Sequence, residues 1–324
     1  MKFILAFAII VIALTVVYGA PDPWNEYKIK HGKKYGASED GQRKKNFLAK
    51  DALIKKHNSQ TKATYKRGHN EFSDMTAAES SKYLGAVKPA NITRSLESMV
   101  TFDVETRQLP DSFDYRGHAC LPRVRNQKQC GSCWAFNAIT PIEFARCKKR
   151  GVLRALSEQH LVDCDPYSNG CSGGWYTNAW DYLKNEAGGS AKRSLYPYTA
   201  TDNTCAFTSS MIGAKISSYG YLPALNAADM QMALQDYGPI SVAIAVTNSF
   251  YSYESGVYTD VECDNENVNH AVVVVGYGTE NGIDYWVVRN SWGIGWGQDG
   301  YILMERGVNK CQIEQYPAAI TGVV

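Results

Sequence analysis

No cysteine occurs in the first 119 residues of this 324-residue chain, although nine follow between Cys120 and Cys311. Past position 20 the chain has no further apolar run approaching the ~20 residues of a membrane span, which leaves the remainder expected to be soluble. An excess of one charge sign is missing too: 34 basic residues against 32 acidic ones imply no nucleic-acid partner. Repeats of fixed period and low-complexity tracts are absent. What remains, 44% hydrophobic and 20% charged residues, excludes a disordered or collagen-like chain. The length allows one large domain or two smaller ones.

The averages hide an asymmetry. Residues 1–108 hold 18 Lys and Arg against 11 Asp and Glu, net +7, whereas residues 109–324 hold 16 against 21, net −5. A basic front joined to an acidic body suggests two parts made to fit each other, held by opposite charges. Lys2 followed by the almost unbroken apolar residues 3–18 reads as a secretory signal peptide, with Val17 and Gly19 suited to cleavage after Gly19. A membrane anchor is the duller reading, and the run is short for one. Secretion permits disulfides, and an odd cysteine count leaves at least one thiol over.

Residues 21–60 read as helical, with Glu39, Arg43, Phe47, Ile54 and Asn58 on one stripe at spacings of four and seven. A compact polar stretch follows at residues 68–74. Residues 86–108 lack periodicity and carry Pro89 and the sequon Asn91-Ile92-Thr93, which reads as a glycosylated linker. Residues 132–147 suit a buried helix starting at or near Cys133, bent where Pro141 removes a hydrogen bond. A shorter helix is expected over residues 226–237. Strands are expected over residues 240–246, 271–275, 285–289 and 301–304. Helices first and strands second argue an α+β body with two lobes.

Cys130 and Cys133, two residues apart, have duller readings. A thioredoxin-like site usually carries its Trp before the first cysteine, whereas Trp134 follows the second, and a structural zinc needs a second pair with that spacing, which is missing. A thiol nucleophile needs a cysteine at a helix start, a histidine to pair with it, a group to fix the imidazole and donors for an oxyanion. Cys130-Gly131-Ser132-Cys133-Trp134 fits such a pattern, with His270 lying 137 residues after Cys133 and Asn290 lying 157 after. Taken singly, Cys133 could be packing, His270 a satisfied strand residue and Gln127 a surface residue. Taken together in this order, they point to catalysis.

With these motifs the chain resembles the papain-like cysteine proteases, the cathepsin group, over nearly all of its length after the signal peptide. Val268-Asn269-His270-Ala271-Val272 looks like the family's histidine strand, Arg289-Asn290-Ser291-Trp292-Gly293 its asparagine motif, and Gly170-Cys171-Ser172-Gly173-Gly174 its glycine-rich cleft wall. The stripe from Glu39 to Asn58 matches the inhibitory helix of cathepsin L-type propeptides, with Asn46 and Lys50 departing from it. Gly68, Asn70, Phe72 and Asp74 match the second propeptide motif.

The resemblance implies a papain-like two-lobed α+β fold, with a helix-rich N-terminal lobe, a β-barrel-like C-terminal lobe and the cleft between them, preceded by a helical propeptide. It implies a signal peptide over 1–19, an inhibitory propeptide over 20–108 and a peptidase domain over 109–324. Cys133 would be the nucleophile, His270 the general base and acid, Asn290 its orienting partner and Trp292 the shield over that hydrogen bond. The Gln127 amide and the Cys133 N–H would form the oxyanion hole. Gly173, Gly174, Trp175 and Tyr176 would bind substrate, the two aromatic residues favouring apolar or aromatic side chains. By the same matching, Cys130–Cys171, Cys164–Cys205 and Cys263–Cys311 would pair; a fourth bridge, Cys120–Cys147, which the family pattern does not require, would leave only the nucleophile free. The implied partners are protein and peptide substrates, the chain's own propeptide and cystatin-like inhibitors. The implied enzyme is a secreted or lysosomal endopeptidase zymogen, monomeric, using neither metal nor cofactor.

Some residues depart from the family. Asn269 stands where many relatives carry Asp, and Cys311 lies only five residues before Tyr316, making Gln312, Glu314 and Gln315 candidates for the far wall of the specificity pocket. No histidine lies between His160 and His270, where a dipeptide-trimming loop would carry one, which favours endopeptidase action. Asp74, close in sequence to Arg67, is the candidate for an acid-sensitive latch. A catalytically silent homologue and a peptide ligase using the same thioester are the alternatives.

Overall fold

Asp22 starts the first helix, α1 (Pro23–Lys30), by accepting a hydrogen bond from the Trp24 N–H, and Pro23 sits where its missing donor costs nothing. The computed structural model describes residues 22–90, 92, 99, 100, 102 and 108–324, so the expected signal peptide and Asn91 lie outside the described residues. Helix α2 (Ala37–Asn58) lays Phe47 inward to meet Trp24 and Tyr27, forming a small aromatic core of its own. Strand β1 (Tyr65–Arg67) and the one-turn helix α3 (Ala77–Ser80) complete the front segment. Thr76 and Glu79 form a capping box at the start of α3.

The body opens with β2 (Phe113–Asp114). The helical lobe follows with α4 (Cys133–Arg150), α5 (Glu158–Cys164) and α6 (Tyr176–Asn185). After the short strands β3 (Ser190–Ala191) and β4 (Ile212–Ala214) come β5 (Ile216–Tyr221), α7 (Ala227–Asp236) and β6 (Ile240–Ile244). The chain ends with β7 (Tyr253–Tyr258), β8 (His270–Glu280), β9 (Ile283–Arg289), β10 (Tyr301–Glu305) and β11 (Ala318–Val323). Among the described residues no helix is long and apolar enough to cross a membrane.

The main sheet runs β1-β7-β10-β9-β8-β6-β11-β5, with β2 paired to β8. Among the described residues its two ends do not pair with each other, so the barrel-like lobe is an open sheet and not a closed barrel. Both edges carry front-segment chain. At one, β1 lies antiparallel to β7 with Tyr65 opposite Gly256; at the other, Met99 forms a bridge to Tyr221 at the end of β5. An uncovered edge exposes a row of unpaired backbone groups, so this segment shields the sheet on both sides.

Helix α4 packs on β8 and β11 and is buried along most of its length. Pro141 does not break it, although the missing N–H should strand the carbonyl of Asn137 four residues earlier. The hydroxyl of Ser241 on β6 donates to that carbonyl at 3.2 Å, so the sheet supplies what the helix lacks. Eight cysteines form Cys120–Cys147, Cys130–Cys171, Cys164–Cys205 and Cys263–Cys311. With sequence separations of 27 to 48 residues, each contributes roughly 3–4 kcal/mol in the chain-entropy account.

Candidate active site

Cys133 is the one free cysteine, fully buried at the first position of α4. Its Sγ accepts from the N–H of Ala271 at 3.4 Å, which places it beside His270 at the start of β8. The His270 Nε2 meets Asn290 Oδ1 at 2.8 Å, and the same oxygen accepts from Ser291 N at 2.7 Å. Trp292 lies over the imidazole with ring centroids 4.8 Å apart. Three elements far apart in sequence thus converge: the start of a helix, the start of a strand and the loop after β9.

Gln127 is pinned from two sides. Its N–H donates to the Ser291 carbonyl at 2.8 Å, and its Oε1 accepts from the Ser291 hydroxyl at 2.6 Å. Tyr198 donates to the Gln127 carbonyl at 2.7 Å and meets the Ser132 hydroxyl at 2.6 Å. With Oε1 held, Nε2 points at the carbonyls of Cys130 and Tyr83. Sequence reasoning missed Ser291 and Tyr198. Ser291 could have been found as a motif neighbour of Asn290, whereas Tyr198 carries no signal in its surroundings.

The front segment crosses this site. Tyr83 presents its carbonyl to the Gln127 amide at 2.9 Å, and Gly85 and Ala86 both donate to the Asn269 carbonyl at 3.0 Å. Gly174 donates to Gly85 O at 2.9 Å, and Val87 donates back to Gly174 O at 3.0 Å. Phe72 packs against Tyr83 and Trp292 at 4.8 Å each, and Asn70 Nδ2 donates to Tyr251 O at 2.7 Å. The side chain of Asn269 accepts from Val246 N and donates to Val246 O, a pair of hydrogen bonds that a carboxylate, lacking a donor, would not make.

Seating this segment dries the site, and burial disfavours charge. It pushes the Cys133 thiol up to about 12, against the lowering by nearby backbone N–H groups, and the His270 imidazole down to about 4. At the start of a helix a thiol would otherwise ionise more easily, so in the covered state desolvation outweighs the helix dipole.

Three expectations are corrected here. Asp74 is fully buried but pairs with Lys33 Nζ at 3.2 Å and with the Tyr35 hydroxyl, not with Arg67, whose Nε donates to Ser252 Oγ at 2.7 Å. Nor do opposite charges join the two parts: among the described residues, the ion pairs of residues 22–90 all close within that segment. The contact is instead made of strand pairing, aromatic packing and hydrogen bonds from both backbone and side chains. Glu314 leaves the list of pocket residues. It is buried and accepts from Trp286 Nε1 at 2.9 Å and Gly307 N at 2.7 Å. Trp175 and Tyr176 are fully buried within an apolar cluster that includes Ala86 and against which Ile92 packs.

The charge that does matter within the front segment is Glu79. Arg43 from α2 grips it with both terminal nitrogens, at 2.8 and 2.6 Å, and holds its carboxyl down to about 2. A depressed carboxylate contributes stability fully above its ordinary range near 4.5 and loses it as pH falls toward 2. His270 adds in the same direction: buried neutral, it resists protonation, so acid between about 6.5 and 4 favours a state in which it is uncovered. Release of the front segment is therefore expected to quicken as pH falls from 7 to 4. Glu79→Gln is expected to quicken it at pH 6, with its lead over wild type narrowing below about pH 4.5. Conversion followed by gel across this range checks both, and equal rates for variant and wild type at pH 6 count against the Arg43–Glu79 clamp.

Comparison with known proteins matches residues 109–321 to the papain family cysteine protease pattern and residues 24–80 to the cathepsin propeptide inhibitor domain. The chain is 38% identical to cathepsin L of Sarcophaga peregrina, over 95% of this chain and 96% of that one. It is 39% identical to cathepsin K of Mus musculus over 88% of each. Among solved structures, the digestive procathepsin L2 proteinase from Tenebrio molitor larval midgut superposes with a TM-score of 0.87 at 34% identity, covering 92% of this chain and 98% of that one.

Proposed function

The chain belongs to the papain family of cysteine proteases, as a zymogen carrying its own inhibitory propeptide, and on that premise we propose how its residues divide the work. Cys133 attacks the substrate carbonyl and forms a thioester, while His270 takes the thiol proton and returns it to the leaving amine. Asn290 holds the imidazole, Trp292 keeps water from that hydrogen bond, and the Gln127 amide with the Cys133 N–H receives the oxyanion. The observation that carries this reading is the backbone gripped at the free cysteine: Gln127 already holds a carbonyl, and Asn269 and Gly174 hold the chain beside it. The joint presence of Cys133, His270, Asn290 and Gln127 argues against a catalytically silent homologue.

Gly173, Gly174, Trp175 and Tyr176 would bind substrate once residues 83–87 leave, favouring an apolar or aromatic side chain over the ring surfaces. Loss of residues 1–19 on secretion and cleavage between Gln108 and Leu109 would yield the mature enzyme of residues 109–324. It would act as a monomeric endopeptidase in the secretory pathway, outside the cell or in the lysosome, and would be open to cystatin-like inhibitors. Titration of the processed protein with a thiol-directed epoxide, followed by peptide mapping, is expected to place one label per molecule on Cys133. A label elsewhere, or hydrolysis surviving full labelling, overturns the assignment.

A further inference from the structure

One turn beyond Cys133, helix α4 carries Asn137 against the sheet, with 1% of its surface exposed. Its Nδ2 donates to the carbonyls of Val242 and Val272, tying the helix to β6 and β8. That settles which end of the amide is which, and leaves Asn137 Oδ1 buried with no protein partner among the described residues. Asn290 shows the complementary deficit. Its Oδ1 accepts from His270 and Ser291, while its buried Nδ2 has no acceptor among the described residues.

Both side chains line one cavity behind His270, walled by Thr140, Ala271, Arg125 and Arg289. The cavity offers about 10 Å³ to the centre of a water molecule, which is room for one. An unmet acceptor and an unmet donor on two residues that line one water-sized space are what a bridging water satisfies. We infer that Asn137 is a positioning residue: through a single buried water it holds the Asn290 amide with Oδ1 toward His270. Without that hold, the Asn290 amide can turn, and the imidazolium loses the acceptor that stabilises it. The groups facing His270 are Cys133 from α4, Asn290 and Trp292 from the loop after β9, and, across the cavity, the Arg125 and Arg289 guanidiniums with Glu143 behind Arg125.

This inference rests on the thiol-protease reading, so the test begins with the processed wild-type enzyme and its label on Cys133. In processed Asn137→Leu, kcat/KM is expected to fall about tenfold, and the alkaline limb of its pH profile to move to lower pH. In an Asn290→Ala background, Asn137→Leu is expected to add nothing, because the group it positions is gone. Asn137→Ser keeps a hydroxyl for the water and is expected to restore the wild-type limb even if Asn137→Leu folds poorly. A high-resolution crystal structure is expected to show one water within hydrogen-bond reach of Asn137 Oδ1 and Asn290 Nδ2. A dry cavity, an unmoved limb in folded Asn137→Leu, or full additivity with Asn290→Ala overturns the inference. A wild-type enzyme unlabelled at Cys133 would overturn the catalytic reading instead.

Discussion

Cys133→Ala is expected to lower peptide hydrolysis at least a thousandfold while the precursor stays folded. The sulfur supplies the nucleophile, and removal of a nucleophile in such a constellation costs about six orders of magnitude in kcat in the best-studied case. Its structural contribution is small by comparison. Cys133 is buried and its Sγ accepts one weak bond from Ala271 N, so losing one atom from a packed site costs about 1 kcal/mol. The measurement is hydrolysis of a peptide substrate by the variant, released from its propeptide with an added protease, alongside thermal unfolding of the precursor. Activity above about a thousandth of wild type rules Cys133 out as nucleophile.

The second large effect is expected at a glycine of the propeptide. A Cβ on Gly85 would lie 1.8 Å from the carbonyl oxygen of Gly131 and 2.5 Å from its carbon. Neither atom can yield, because Gly131 sits beside the Cys130–Cys171 disulfide and its N–H is bonded to Cys171 O at 2.9 Å. The segment must then lift from the cleft, giving up its bonds to Asn269 and Gly174. The propeptide helices and the β1–β7 pairing do not depend on this residue. Gly85→Ala precursor is accordingly expected to react with a thiol-directed epoxide at neutral pH before any cleavage, about a hundredfold or more faster than wild-type precursor. A variant that remains as unreactive as wild type would show that the inhibition is held elsewhere.

Much of the site was readable in the chain because its chemistry is local. Cys133 stands in a five-residue motif at a helix start, and His270 and Asn290 sit in short motifs, His270 at the expected distance and Asn290 slightly beyond it. The α2 stripe was readable for the same reason, since helical periodicity sets which residues share a face. The structure puts them to separate uses: Arg43 grips Glu79, Phe47 enters the small aromatic core, and Asn58 brackets Arg67 of β1 through two hydrogen bonds. Strand β7, strand β11 and helix α6 were not foreseen. Their interrupted patterns, such as Tyr253-Glu254-Ser255-Gly256, acquire meaning only once neighbouring strands cover them.

Pairings between distant groups were not readable. For Asp74 the sequence offered nearby basic residues such as Arg67, seven residues away, whereas the fold brings it Lys33 from forty-one residues away. Glu314 looked available to a pocket until Trp286 and Gly307 claimed it. By itself, the sequence determined that a thiol, an imidazole and an amide would be supplied on a papain-like frame with an inhibitory segment ahead of it. Only the tertiary structure decided that, among the described residues, this segment is held by hydrogen bonds and rings while its ion pairs close within itself. The reason is range: net charges of +7 and −5 constrain no particular contact, because ion pairs act over a few ångströms and weaken quickly in water. Which groups come that close is settled by packing, not by composition.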